Sequence, residues 1–301
     1  MSASFAWGLT PGVKMTARAS VIRAVMLILI VGLLGSSGLA QTPKKGSSLK
    51  NIELCNGSDR VSPEARIEAC TAFIDAGEGS ANGFAVAHNN RGNARSAKAD
   101  YGGAIKDFLE AIRLNPNYAK AFNNLGVAYL RTGSYDLALS AFQEALKLNP
   151  NYATAFANRA AAFLKRNTYD RAAQDYDEAI RLDPKLEAAW SGRCWARAVL
   201  GALQAAMEDC DMVLRSGAGN AATYDSRALI NLKIGHLSAA IDDYNAALRY
   251  APKLASALYG RGVARFKLGD TDGGNRDILE ARRIEAGIAE DFVRYGVPQR
   301  D

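Results

Sequence analysis

Residues 119–152 decide the fold of this 301-residue chain: AKAFNNLGVAYLRTGSYDLALSAFQEALKLNPNY. In the first half of the stretch, apolar and small residues have the spacing of one helix face; they are Phe122, Leu125, Gly126 and Tyr129. Residues 133–136 form a turn, after which Ala138, Phe142 and Ala145 define one face of a second helix. Pro150 ends that helix, because proline cannot continue one. The stretch therefore predicts two antiparallel helices joined by a tight turn.

The same pattern recurs along the chain at a constant period, and internal repeats of this length indicate a solenoid. Pro116, Pro150 and Pro184 are one period apart, and Pro252 follows two periods later. Aligned on this period, the chain divides into six units without insertions: 85–118, 119–152, 153–186, 187–220, 221–254 and 255–288.

Small and aromatic residues keep their places within the units. The place of Gly126 is held by Gly92, Ala160, Ala228 and Gly262, and that of Phe142 by Phe108, Tyr176 and Tyr244. Small residues let the two helices of a unit approach closely, while the aromatic rings fill the space between hairpins. This pattern resembles the tetratricopeptide repeat (TPR) family. The resemblance implies an all-α fold, a right-handed superhelix (α-solenoid) of antiparallel helix hairpins.

Composition excludes several other classes. Hydrophobic residues make up 49% and charged residues 23% of the chain, which excludes a disordered chain and a multi-span membrane protein. The net charge is +6, but Lys14, Arg18 and Arg23 lie within residues 1–40, which contain no acid. No basic cluster follows residue 50, so we expect no nucleic-acid partner.

Residues 1–40 are expected to be a signal peptide. Basic residues precede an apolar run at 24–34, which is too short to span a membrane and is followed by small residues. Cleavage before Gln41 would place the mature chain in the periplasm, and Met15 is an alternative start. The other interpretation is an uncleaved segment that anchors the chain to the inner membrane.

The regions around the repeats are expected to be short. Residues 41–50 form a linker, and 51–84 form a degenerate N-terminal capping hairpin. In that hairpin Ser62 is the expected N-cap of a helix that runs to about Ala76, with Gly77 as its stop. Residues 289–301 form a C-terminal cap or tail with a short helix.

The four cysteines fall into two local pairs, Cys55 with Cys70 and Cys194 with Cys210. In unit 187–220, the second pair lies at equal distances from the turn near residues 201–202, so its members should face each other. Export favours disulfides in both pairs. The alternative is two pairs of buried thiols that pack as small apolar residues.

Motifs for catalysis are lacking, so the sequence predicts a protein that is not an enzyme and has no cofactor or metal. The two histidines, His88 and His236, have no metal-ligand spacing. His88 is expected to pack in the place of Phe122, and His236 to be solvated in a turn. No nucleophile elbow or phosphate-binding loop is present.

A binding surface remains as the functional candidate, because first helices line the concave side of such a stack. Asn90, Asn124 and Asn158 form a row at one period, flanked by a further set of asparagines: Asn89, Asn93 and Asn123. In the TPR family this row often binds the backbone of an extended peptide. The alternative is a solvated helix face.

Two rows of cations accompany the asparagines. For Arg91, Arg159, Arg193, Arg227 and Arg261 we expect pairing with an acid of a neighbouring helix. Arg131, Lys165, Lys233 and Lys267 come late in the first helices and border the groove, where they favour an acidic ligand or a carboxylate. The two-carboxylate clamp of chaperone-binding TPR domains is not assembled here.

The predicted function is therefore a periplasmic interaction module that binds an extended peptide of a protein partner. The alternative is a structural scaffold of the cell envelope, either membrane-tethered or self-associating.

Overall fold

The computed structural model describes residues 48–57 and 60–298. The predicted signal peptide and residues 41–47 of the predicted linker lie outside this range. The described residues contain fifteen α-helices and no β-strand, as the repeat pattern predicts.

The helices follow one another in pairs. The first pair is α1 (Ser48–Asn56) and α2 (Pro63–Ala76). Six hairpins follow: α3 (Ala81–Ala97) with α4 (Tyr101–Leu114), α5 (Ala119–Arg131) with α6 (Tyr135–Leu148), α7 (Ala153–Lys165) with α8 (Tyr169–Leu182), α9 (Glu187–Leu200) with α10 (Leu203–Arg215), α11 (Ala221–Lys233) with α12 (Leu237–Tyr250), and α13 (Ala255–Lys267) with α14 (Thr271–Ile284). The short helix α15 (Ile288–Arg294) comes last.

The N-terminal hairpin has the local structure that its sequence predicts. The Ser62 hydroxyl accepts a hydrogen bond from the backbone N–H of Ala65, and Pro63 is the first helical residue. Gly77 ends α2 with φ of 68°, a left-handed conformation that glycine adopts without strain. Two boundaries differ from the prediction: α1 already begins at Ser48, and α3 begins at Ala81, one turn before the first repeat unit.

Glycine allows the two helices of a unit to approach closely. A Cβ atom added at Gly126 would lie 2.5 Å from the Phe142 ring, and one added at Gly92 would lie 2.6 Å from the Phe108 ring. Both rings are buried. The predicted role of these small residues is therefore confirmed.

The first helices form the inner side of the stack. Each first helix packs on the first helix of the next unit, whereas the second helices mainly contact the first helices on either side. Elements on the inside of a curved stack lie closer together than those on the outside. The side chains of α3, α5, α7, α9, α11 and α13 that face away from the second helices therefore form the concave face.

Two disulfides connect the cysteines in the predicted pairs. Cys55 is bonded to Cys70, which joins α1 to α2, and Cys194 is bonded to Cys210, which joins α9 to α10. The Cα atoms of the second pair are 5.4 Å apart. All four residues are buried, so each bond lies inside a helical hairpin.

None of the helices in the described part of the chain is both long enough and apolar enough to cross a membrane.

Candidate functional site

The asparagine row forms a chain of hydrogen bonds between units. Asn124 donates from Nδ2 to Oδ1 of Asn89 at 2.9 Å, and Asn158 donates in the same way to Asn123. Asn90 continues the row into the N-terminal hairpin, where its Nδ2 donates to the backbone oxygen of Cys55 and to Oδ1 of Asn56. Each asparagine of the row thus binds a residue 34 or 35 positions earlier.

The structure corrects the prediction that Asn89 and Asn123 bind a peptide, because both are buried. Asn89 is 0% exposed and Asn123 is 5% exposed, so neither side chain is accessible to a peptide. They are polar residues buried in the stack, and each accepts a hydrogen bond from the next unit because a buried amide oxygen without a donor is costly. The sequence spacing places them on a face but does not show that another unit covers it.

The row itself keeps little capacity for a ligand. Asn90 uses its amide N–H groups on two acceptors and receives a long hydrogen bond from Asn89. Asn124 and Asn158 are half-buried, and each uses one of its two amide hydrogens within the stack. Asn93 is half-buried as well.

The long arginine row pairs with acids of the second helices, which confirms that prediction. Every arginine in it binds an aspartate 16 positions later, at 2.8 Å or less in each closest contact. The pairs are Arg91–Asp107, Arg159–Asp175, Arg193–Asp209, Arg227–Asp243 and Arg261–Asp277. Planar guanidinium groups suit such two-pronged contacts with carboxylates. The row therefore fixes each first helix to its own second helix.

Three of these arginines also bind the preceding unit. Nη1 of Arg193 donates to Asp177 at 2.6 Å, and Nη1 of Arg227 donates to Asp211 at 3.0 Å. Arg261 contacts the side-chain oxygen of Asn245 at the equivalent place. The hydrogen bond to Asp243 raises the pKa of the Arg227 guanidinium above its ordinary value.

The structure also corrects the prediction that His88 only packs against its neighbours, because its ring contacts a carboxylate. Its Nδ1 lies 3.1 Å from Oδ1 of Asp107, the carboxylate that also binds Arg91 and Arg95. Burial by itself would raise the pKa of Asp107, but the hydrogen bonds with His88 and Arg91 and the positive charges of Arg91 and Arg95 together outweigh burial and lower it. His236 is exposed at the start of α12, as expected.

The predicted groove-border cations divide into two groups. Arg131 and Lys165 are exposed at the ends of α5 and α7, as is Lys267 at the end of α13. Lys233 is half-buried, and its Nζ donates to the backbone oxygens of Ala198 and Tyr295, at 2.7 Å each. Burial lowers the pKa of the Lys233 ammonium.

The Tyr295 carbonyl belongs to a stretch that we call the return segment, residues 288–297. It contains α15 and turns back across the first helices of the last three units. Tyr295 packs edge-on against Trp195 of α9, with ring centres 4.9 Å apart. Phe292 packs against Tyr259 of α13 at 4.7 Å. In these units the concave face already holds a segment of chain.

Family models match the repeats themselves. Residues 119–152 and 158–221 match two tetratricopeptide repeat models, and residues 92–133 and 230–269 match a TPR repeat model. Together these ranges cover more than half of the chain. The chain is a tetratricopeptide repeat protein.

Solved structures show the same fold at low sequence identity. A tetratricopeptide repeat protein from Parabacteroides merdae ATCC 43184 superposes with a TM-score of 0.60 at 16% identity, covering 82% of this chain and 98% of the other. PilF of Pseudomonas aeruginosa gives a TM-score of 0.57 at 18% identity, covering 70% of this chain and 95% of the other. No curated protein shows significant sequence similarity. Identities this low carry the TPR architecture alone.

Metal-ligand geometry does not occur among the residues that the structure describes: no group of three or more His, Cys, Asp or Glu side chains is placed to hold an ion.

TPR repeats are modules for protein–protein interaction, and the concave face is the candidate surface of this one.

Proposed function

We propose that this TPR protein is a non-enzymatic, periplasmic interaction module that binds an acidic segment of a partner protein on the concave face of units 85–186. The proposed contacts are made by Arg131 and Lys165 at the border of the groove. Asn124, Asn158 and Asn93 supply the remaining polar groups. Asn90, whose amide hydrogens are both used, and the buried Asn89 and Asn123 support the stack instead.

One observation carries this proposal. In the later units Lys233 binds the backbone oxygen of a segment that lies on the first helices. Lys165 and Arg131 occupy the same place two and three repeat periods earlier. Because both are exposed, they are accessible to a carbonyl or carboxylate that is supplied from outside the chain.

The test is site-specific photo-crosslinking in the cell. A photoreactive residue replaces Val127, which corresponds in the repeat to Trp195, the residue that contacts the return segment. We expect it to capture a partner protein, and mass spectrometry should place the crosslink in an acidic segment. The double variant Arg131→Ala/Lys165→Ala should reduce capture at least tenfold.

A matched control removes two positive charges elsewhere. Lys185→Ala/Lys253→Ala alters exposed residues in the loops between units and should leave capture unchanged. Equal capture by the groove variant and the control would overturn the proposed site. A crosslinked segment without acidic residues would overturn the proposed ligand class.

Export is tested separately by fractionation. The mature chain should be released with the periplasmic fraction and begin at Gln41. Retention in the membrane with residues 1–40 intact would favour the tethered scaffold instead.

A self-associating scaffold is the second candidate, and a row of exposed apolar residues favours it. Leu200, Ile234 and Leu268 lie one period apart where the first helices end, and each is at least 42% exposed. The earlier units have polar residues at this place: Lys98, Thr132 and Arg166. Light scattering of the purified chain and of a Leu200→Ser/Leu268→Ser variant tests this candidate. A monomer at all accessible concentrations would exclude it.

A further inference from the structure

The return segment does not extend the stack as a further hairpin would. Its residues contact α9, α11 and α13, which belong to three different units. Tyr295 contacts Trp195, far earlier in the sequence, and accepts the Lys233 hydrogen bond. The segment therefore crosses the concave face and lies over helices that precede its own unit.

The contact is made by one face of a short amphipathic helix. Ile288, Ala289 and Phe292 are at most 3% exposed and join the largest apolar cluster of the protein, together with Val297. Val293 and Arg294 point to the solvent, where Arg294 pairs with Asp291. Aromatic rings three positions apart, Phe292 and Tyr295, fill the places beside Tyr259 and Trp195.

The segment depends on this surface for its structure. The helix α15 has seven residues, fewer than an isolated helix needs to be stable in water. Only residues 285–287 connect it to α14. Terminal elements of a fold commonly open locally at a lower free energy than its interior. When it opens, Trp195, Tyr259 and Lys233 are left without their partners in the segment.

We propose that the concave face of α9, α11 and α13 is a binding site for a partner helix with two aromatic residues three positions apart, and that the return segment is an internal occupant which this partner displaces. Such a helix binds by placing its apolar face in a groove. The Lys233 ammonium then donates to a carbonyl at the end of the partner helix, as it does to Tyr295. This site is separate from the groove of units 85–186 and goes beyond the function proposed above.

The test uses the full chain and a fluorescent synthetic peptide with the sequence of residues 286–298. Phe292→Ser/Tyr295→Ser weakens the internal occupant and should raise the affinity for the peptide at least tenfold over the unaltered chain, by fluorescence anisotropy. The control Val293→Ser/Arg294→Ser alters exposed residues of the same helix and should bind the peptide as the unaltered chain does. Adding Trp195→Ala to the first variant should abolish the gain.

Two results would overturn the proposal. One is a folded Phe292→Ser/Tyr295→Ser variant that binds the peptide no better than the unaltered chain. The other comes from hydrogen exchange of the unaltered chain and applies even if that variant fails to fold. Amides of residues 288–297 that exchange only with global unfolding would make the segment a permanent part of the fold. Because Arg131→Ala/Lys165→Ala should leave peptide binding intact, failure of the groove proposal is distinguishable from failure here.

Discussion

The ring of Tyr176 lies against Gly192 of the following unit. A Cβ atom at position 192 would be 2.2 Å from Cζ and 2.3 Å from the hydroxyl oxygen of this tyrosine. Tyr244 and Gly260 repeat the arrangement two units later, with the same 2.2 Å distance to Cζ. In both cases the unit that carries the tyrosine has alanine, Ala160 or Ala228, where units 85–118, 119–152 and 255–288 have glycine.

The phenylalanines have the opposite arrangement. Phe142 lies over Gly126 of its own unit, and the following unit has Asn158 where Gly192 and Gly260 stand. The side chain at this place and the aromatic ring of the preceding unit thus share one space. The asparagine row stops after unit 153–186 because the Tyr176 ring fills the space that the next asparagine would need.

Gly192→Ala should lower the free energy of unfolding by about 1–3 kcal/mol, because the added methyl overlaps a buried ring. Thermal denaturation measures the change. Gly102→Ala is the matched control, since a Cβ there meets no atom within 4 Å and the residue is helical. We expect that variant to be neutral or slightly stabilised. Equal effects of the two substitutions would show that the ring does not occupy this space.

Asn124→Ala should cost about 1–3 kcal/mol, because it removes the donor to the fully buried Oδ1 of Asn89. A solvated row would instead tolerate the change. Asn117→Ala, at an exposed loop position, is the control and should have little effect. Denaturant unfolding of both variants distinguishes a structural row from a surface row.

Asp175→Ala should cost about 3 kcal/mol, since it leaves the guanidinium of Arg159 without its carboxylate in a mostly buried position. In unit 119–152 the corresponding places hold Leu125 and Ala141, which lie in one apolar cluster. The double variant Arg159→Leu/Asp175→Ala reproduces that pair. It should recover more than half of the lost stability in denaturant unfolding. A double variant no more stable than Asp175→Ala would show that the two units are not equivalent in packing.

Asp225 should make stability depend on pH. Burial raises the pKa of its carboxyl to about 7, although a hydrogen bond from Ser256 partly offsets the effect. The unfolded chain loses this proton near pH 4. Between about pH 4 and pH 7 the folded state therefore binds more protons, and the free energy of unfolding falls as the pH rises.

Asp225→Asn removes this titration while keeping an acceptor for Ser256. The variant should gain stability over the unaltered chain on going from pH 5 to pH 8, by about 2–3 kcal/mol. Asp242→Asn, which alters an exposed aspartate of the same repeat unit, is the control. A constant stability difference between Asp225→Asn and the unaltered chain at both pH values would contradict the assignment.

Removal of the Cys194–Cys210 bond by Cys→Ala changes at both positions should cost about 3 kcal/mol, because the bond closes a loop of 16 residues. A reducing agent should lower the Tm of the unaltered chain, and it should lower the Tm of this variant by less. Alkylation of the unreduced native protein at these cysteines would show that the bond does not form.

The repeat period made most of the fold predictable. The place of Gly126 holds glycine or alanine in five of the six units and that of Phe142 an aromatic residue in four, and their helical spacing is enough to specify hairpins. The pairing of the arginine row with acids, such as Arg159 with Asp175, was also predictable, because an arginine on a packed helix face needs a carboxylate within reach. Ser62 and Gly77 predicted both ends of α2 to the residue, because the capping preferences of serine and glycine are local.

Contacts between units were less predictable. The spacing of Asn89 and Asn124 shows that each lies on a first helix, but not that one unit buries the other. The return segment was foreseen only as a short helix. Its course across α9 depends on the contacts of Tyr295 with Trp195 and Lys233. Both partners are far from Tyr295 in the sequence, and no repeat pattern links them to it.

The joints between units differ in chemistry along the stack. Asn124 and Asn158 connect their units to the preceding ones by amide hydrogen bonds, and the second of these joints also has the exposed Arg166–Asp136 ion pair. The arginines at 193 and 227 instead connect their units to the preceding ones through carboxylates. Salt screens interactions of partly exposed charges and leaves neutral amides almost unaffected. The response of the superhelix to ionic strength should therefore be uneven: salt weakens the ion pairs of the two joints that flank unit 187–220, whereas the two joints before them keep their amide hydrogen bonds.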